Sequence, residues 1–316
     1  MKPEVKSAAL FVVIGLVLYA ALFYATDRLV YRTGRSNPLY KIAVVDRKSF
    51  DWVILGASHA MPLDFADFES FMEKEAGLHI LNLASPGTGP LYNRFVFEQF
   101  LARHRTRNLL YVVDSFAFYL PAWNEDRFTD AKLLGRTPFE TTTARRLFSY
   151  SLNQGVDFRA PLDFVTGFSR INNRERFERD IWEGEKQFDR VFRPSPSMTK
   201  SRITYLYPKP PTPAGLAHYL EVFDGLVALA QQHGIRVVAI KVPVPPDFRS
   251  QIPNEAEFDA AIGQLLSKRQ VEFSDFSGSM AEPRFYFDTD HLNRSGVTEL
   301  FEKQLKPILI SSTASR

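Results

Sequence analysis

The chain has 316 residues, 45% of them hydrophobic and 24% charged, which is the balance of a folded globular protein and not of a disordered or multi-span one. Its 39 basic and 36 acidic residues leave a net charge of +3, too small an excess for a nucleic-acid footprint. There is no cysteine, which excludes disulfides, thiolate nucleophiles, cysteine–zinc sites, iron–sulfur clusters and a lipidated cysteine.

The first predicted element is a membrane helix. Ala8 to Ala25 is an uncharged run of 18 residues, about 27 Å at helical rise and close to a hydrocarbon core of about 30 Å. Lys2 and Lys6 precede it, and Asp27, Arg28, Arg32 and Arg35 follow. The bulky Leu22-Phe-Tyr24 stands where a signal-peptide cleavage site needs small residues, so an uncleaved signal anchor over about 1–30 is expected. A short cytoplasmic N-terminus would leave the rest of the chain extracytoplasmic. A polar linker is expected over 31–50, and a folded domain over 51–316.

Beyond Asp51 the pattern alternates. Trp52–Leu55 reads as a buried strand, Leu63–Ala76 as a helix, His79–Leu83 as a second strand and Leu91–His104 as a helix. Leu109–Val113 is a third strand. From Phe116 to Pro213 the alternation is lost, and this aromatic, Arg- and Pro-rich stretch reads as an insertion or cap. Helical pieces are expected within it at Thr141–Leu152 and Arg174–Phe188. Then follow a helix at Ala214–His233, a strand at Val237–Ile240, a helix at Glu255–Lys268, a strand at Val271–Phe273 and a last helix at Ser295–Ile308. Strands separated by helices predict an α/β fold: a doubly wound, mainly parallel five-stranded sheet of flavodoxin-like type, with the N-terminal transmembrane helix and a mixed insertion at about 116–213.

Ligands of such sheets collect at the carboxyl ends of strands, and polar residues gather there. Ser58 follows the first strand in Gly56-Ala-Ser-His59 and can present a hydroxyl to the crevice; the same position suits a helix-cap serine. Asp288 and His291 are three apart, a spacing that lets the carboxylate fix one imidazole nitrogen and free the other as a base. Spacing alone also allows a solvated capping turn, or a metal site with Asp290. Gly87-Thr-Gly89 lacks the third glycine of a dinucleotide fingerprint, since Tyr92 stands there.

In this order, Gly56-Ala-Ser58-His59, Asn82-Leu-Ala-Ser-Pro-Gly87 and Asp288-Thr-Asp-His291-Leu-Asn293-x-x-Gly296 resemble the SGNH/GDSL hydrolase family over roughly residues 50–114 and 235–310. The resemblance implies a catalytic Ser58, His291 and Asp288, with the backbone N–H groups of Ser58 and Gly87 as oxyanion donors. The family's third block carries an asparagine donor, but here the third strand runs into Val113-Asp-Ser-Phe116. An ionised Asp114 cannot donate, so Ser115 or Asn93 are the candidate substitutes.

The single anchor makes the chain similar to the D-alanyl transfer protein of teichoic acid synthesis and to the alginate and cellulose O-acetylation proteins. That subgroup implies a single-pass protein of the bacterial inner membrane with an extracytoplasmic catalytic domain. It also implies a membrane-bound O-acyltransferase partner and a glycan or teichoic-type acceptor. Serine O-acyl transfer or ester hydrolysis without cofactor or resident metal is the expectation. A catalytically silent glycan-binding or scaffold protein is the alternative.

Overall fold

The computed structural model describes residues 3–311; Lys2 of the anchor's basic flank lies outside them. The chain forms two compact units, one of residues 1–44 with 128–180 and one of residues 45–127 with 181–316. In chain order the helices are α1 (Pro3–Thr33), α2 (Pro38–Val44), α3 (Phe68–Ala76), α4 (Pro90–Leu101), α5 (Ala131–Leu134), α6 (Thr141–Asn153), α7 (Arg159–Thr166) and α8 (Phe168–Asn172). They continue with α9 (Pro196–Leu206), α10 (Pro213–Gln232), α11 (Pro246–Arg249), α12 (Glu255–Lys268), α13 (Arg294–Leu300) and α14 (Lys306–Ser311). The strands are β1 (Ser49–Leu55), β2 (Ile80–Asn82), β3 (Arg105–Val112), β4 (Arg236–Lys241) and β5 (Glu272–Asp275).

In the second unit all five strands are parallel, in the order β2-β1-β3-β4-β5. The carboxyl halves of β1 and β3 and most of β4 are apolar and buried because both faces are covered, whereas the edge strand β5 is polar and only partly buried. Trp52, Ile54, Leu110, Val112, Val238 and Ile240 face one core, with Phe68 and Met72 of α3 and Val297, Leu300 and Leu309 near the C-terminus. The indole N–H of Trp52 donates to the Leu309 carbonyl at 3.1 Å. On the opposite face Tyr111 meets Phe223 of α10 at 4.6 Å, and Phe118 meets both Phe223 and Phe258 of α12. The strand order reverses between β1 and β3, which opens a crevice at their carboxyl ends.

The helix expected from Leu63 begins only at Phe68. Pro62 sits in a 3-10 turn over Ser58–Leu63, and Ala66 and Asp67 take left-handed backbone angles. The last helix is interrupted by a π segment at Phe301–Leu305.

The first unit departs further from expectation. The anchor helix runs on to Thr33, and the expected linker holds α2. The expected 116–213 insertion is divided between the units, because side chains tie its middle to the N-terminal helices. Asn37 donates to Leu133 O at 2.8 Å, Arg136 donates to Thr33 Oγ1 at 2.9 Å, and Arg170 pairs with Asp27 at 2.8 Å. The helix expected at Arg174–Phe188 is absent apart from a 3-10 turn at Glu185–Gln187. The Arg136 guanidinium takes the carbonyls of Glu175 and Glu178, at 2.6 and 2.9 Å, that a helix would have used.

Candidate active site

The Ser58 loop begins at Gly56, whose φ of +152° suits glycine and whose added Cβ would meet the Val112 carbonyl at 2.9 Å. This close approach to β3 turns the chain off β1 and sets Ser58 at the first position of the 3-10 turn. The β2–α4 loop is bound to the same place. Ser85 N and Thr88 Oγ1 both donate to the Gly56 carbonyl, at 3.3 and 3.2 Å, and so hold the Gly87 segment beside the serine's turn. Gly87 has φ +59°, and a Cβ there would press on the Trp123 ring at 2.9 Å.

The histidine loop is a closed turn. Phe287 N donates to His291 O at 3.1 Å, and Tyr286 bridges Leu292. Asp288 Oδ1 accepts the N–H groups of Asp290 and His291, at 3.0 and 2.8 Å. Asn293 caps α13 through Gly296 N at 3.0 Å and donates to the carbonyls of Arg190 and Arg284. Gly296 lies so close to Phe285 O that an added Cβ would stand 2.2 Å from it.

These two loops bring Ser58, His291 and Asp288 into one line. His291 Nδ1 lies 2.9 Å from Asp288 Oδ2, and His291 Nε2 lies 2.9 Å from Ser58 Oγ. An ionised carboxylate only accepts, so Nδ1 carries the proton and Nε2 is left to accept from the serine O–H. Ser58 and His291 are 3% and 1% exposed. Phe287 stacks on the imidazole at 5.5 Å, and Trp182 meets it edge-on at 5.3 Å.

A second buried histidine stands against the first. The His59 ring centre is 4.8 Å from that of His291. Its Nδ1 bonds Asp114 and its Nε2 bonds Asp290 Oδ2 at 3.1 Å. Asp290 in turn accepts from Arg202 Nε at 2.8 Å and from Thr289 Oγ1 at 2.7 Å, and its Oδ1 is 3.6 Å from His291 Nδ1. Burial alone would lower the basicity of His59, but Asp114 and Asp290 outweigh it and push its pKa up to about 10. It is therefore an imidazolium at neutral pH. Burial works against the ionised form of Asp290 as well, yet His291, Arg202 and His59 hold its pKa well below the usual carboxylate range. Two cations and two carboxylates thus form a charge-neutral network behind the line of three.

His59, Asp290 and His291 offer ligand atoms within 4.8 Å of one another, the geometry of a possible metal cluster. Arg202 already occupies the Asp290 carboxylate, and a second cation there would have to compete with the guanidinium.

Neither expected substitute for the third oxyanion donor is turned to Ser58. The Asn93 amide donates to Thr88 O and Tyr111 Oη, both at 3.3 Å. Ser115 Oγ bonds Glu255 and, at 2.8 Å, Tyr207 Oη. Glu255 also holds Lys241 from β4, which reaches Asp259 at 2.7 Å. Ser115, with Tyr207, Lys241 and Glu255, thus lines one cavity together with His59 and Asp114. Asp114, expected only as a failed donor, is instead the anchor of His59, a pairing with no signal in the sequence beyond the histidine beside the serine. Arg202 lies 88 residues from its carboxylate and could not be foreseen.

No known protein-family model matches the chain, and no curated protein matches it in sequence. Solved structures similar to it include a protein described as acylhydrolase-like from Bacteroides fragilis, at 10% identity and a TM-score of 0.44, covering 86% of this chain and 93% of that one. A GDSL-like lipase of Bacteroides thetaiotaomicron matches at 9% identity and 0.43, over 86% and 95% of the two chains. A protein named for platelet activating factor, from Streptococcus pneumonia, matches at 10% and 0.40, over 94% and 99%. At these scores the reading of the fold and the site rests on the topology and distances given above.

Proposed function

We propose that this chain is a membrane-anchored serine acyltransferase or esterase that acts on an extracytoplasmic polysaccharide or teichoic-type polymer. The observation that carries the reading is the 2.9 Å contact of Ser58 Oγ with His291 Nε2, between residues 233 apart in sequence. A neutral serine is a poor nucleophile. His291 takes its proton as the oxygen attacks an acyl carbonyl, and Asp288 stabilises the imidazolium that forms. The oxyanion of the tetrahedral intermediate lies against the backbone N–H groups of Ser58 and Gly87, each such donor being worth about 10²–10³ in rate. His291 returns the proton to the leaving oxygen, and an acyl-Ser58 remains. Water resolves it to a free acid; a polymer hydroxyl resolves it to a new ester. A membrane-bound O-acyltransferase is the partner that such transfer calls for.

One observation favours a second reading, a silent glycan-binding or scaffold protein. Asp114 is committed to His59, and the side chains of Ser115 and Asn93 bond elsewhere, so none of these three supplies a side-chain donor to an oxyanion. Two measurements decide. The full chain in detergent should react with a fluorophosphonate probe, and Ser58→Ala should abolish the adduct. Cells carrying Ser58→Ala at normal protein level should lose ester-linked acyl groups from the polymer. An unlabelled protein together with unchanged polymer acylation leaves the scaffold reading.

A further inference from the structure

Helix α7 of the first unit carries more apolar surface than its core contact uses, with Arg159, Asp163 and Thr166 on its polar side. Ala160, Pro161 and Phe164 of α7 are buried. Phe158, Leu162 and Val165 form an i, i+4, i+7 stripe beside that buried face, and Phe168 continues it past Gly167. Leu162 and Phe168 are 54% and 62% exposed. Four large apolar side chains exposed in one stripe, between a buried face and a polar one, are the pattern of a helix lying at the edge of an apolar medium.

The neighbouring element supplies that medium. The Tyr19 hydroxyl of α1 donates to the Thr166 carbonyl at the end of α7, at 2.9 Å. Gly167 packs so tightly on the Phe23 ring that an added Cβ would sit 2.7 Å from it. Arg170 of α8 lies over the Phe23 ring at 4.9 Å and pairs with Asp27 at 2.8 Å. Phe139 joins the two, 5.3 Å from Phe23 and 5.6 Å from Phe164. Tyr19 and Phe23 belong to the uncharged run that ends at Ala25, and Tyr19 is six residues inside that end, about 9 Å along the helix. A segment bonded at that level stands at the depth to which interfacial helices sink, about 5–10 Å into the boundary of headgroups and acyl chains.

We infer that residues 158–168 dock into the lipid bilayer beside α1, with Phe158, Leu162, Val165 and Phe168 as the immersed face. The inference rests on the reading of α1 as a membrane-spanning helix. The first unit is then held to lipid by a spanning helix and by an interfacial one, so the anchor cannot turn freely about its own axis.

The absence of cysteine makes the test direct. Single variants Leu162→Cys, Val165→Cys and Phe168→Cys of the full chain are spin-labelled and reconstituted in vesicles of phosphatidylcholine and phosphatidylglycerol. Collision rates with oxygen and with a water-soluble nickel chelate are then compared. The expected result is a higher oxygen-to-nickel ratio at all three positions than at Asn153→Cys, an exposed residue at the end of α6. A ratio equal to that of position 153 overturns the docking. Leu16→Cys reports on the anchor separately. Lipid contact at 16 with water contact at 162 and 168 sinks the docking alone, whereas water contact at 16 sinks the anchor and the docking together. A face that is wet in pure vesicles but shielded from both reagents in native membranes is covered by a protein, which also overturns lipid docking.

Discussion

At the residue scale the notable feature is a pair of histidines 4.8 Å apart, each held by its own carboxylate. His291 faces the serine, while both ring nitrogens of His59 face carboxylates and the ring is charged at neutral pH. Removing that charge takes from Asp114 its cation in a dry interior and leaves Asp290 to Arg202 and Thr289 alone. Breaking such a buried pair costs about 3–5 kcal/mol, so His59→Gln should unfold at markedly lower urea concentration. The pH dependence follows from the direction of the shift. The folded pKa of His59 is raised from 6.5 to about 10. Its contribution to stability is therefore full below pH about 6.5 and fades as the pH rises towards 10, and the urea midpoint should fall over that window. His59→Gln should flatten that slope. Arg202→Gln tests the same network from its other end. Without the guanidinium on Asp290 the buried network should loosen, and the urea midpoint should fall as in His59→Gln. A midpoint unchanged in both variants would mean that the network does not support the fold. His291→Gln should slow fluorophosphonate labelling of Ser58 by about 10²–10⁴, the usual contribution of a general base.

At the scale of elements, the line of three is built by two turns whose glycines cannot be replaced. Gly296 meets the Phe285 carbonyl where a side chain would begin, at 2.2 Å. Gly296→Ala should force α13 away from the 285–291 turn, costing about 1–3 kcal/mol as overpacking does. Labelling of Ser58 should weaken with it, since His291 sits on that turn. A drop in melting temperature with unchanged labelling would show that the turn is held from elsewhere. These local requirements explain what the sequence disclosed. Gly-x-Ser-His and Asp-x-x-His could be read because each loop makes its own geometry from neighbouring residues. The parallel sheet was legible too, through apolar runs such as Trp52–Leu55 and Val237–Ile240 that tolerate cover on both faces. Long-range pairings were not. Asp114 meets His59 across 55 residues and Arg202 meets Asp290 across 88, and no local pattern marks either. The division of the expected insertion was hidden for the same reason, because it depends on Asn37, Arg136 and Arg170 reaching partners about 100 residues or more away.

At the scale of the whole molecule, the chain divides its labour between its two units. Ser58, His291, Asp288 and the His59 network all come from residues 45–127 and 181–316, and the long apolar helix belongs to the other unit. That helix has a mean hydropathy of 2.4 over its apolar window, with none of the window buried, so it is long and apolar enough to cross a membrane. Charge at its centre should therefore abolish anchoring without touching the chemistry. An arginine near the middle of a spanning helix costs about 2.5–3.5 kcal/mol, and two of them exceed what the remaining apolar residues can offset. Ile14→Arg with Val17→Arg should move the protein from the carbonate-resistant pellet to the soluble fraction of a cell lysate. The same variant should keep its Ser58 adduct with a fluorophosphonate, because no side chain of that site comes from α1. If membrane retention survives both arginines, the protein is held by something other than its first helix. If retention and labelling are lost together in a folded protein, the serine's reactivity depends on the bilayer, and the two units act as one device.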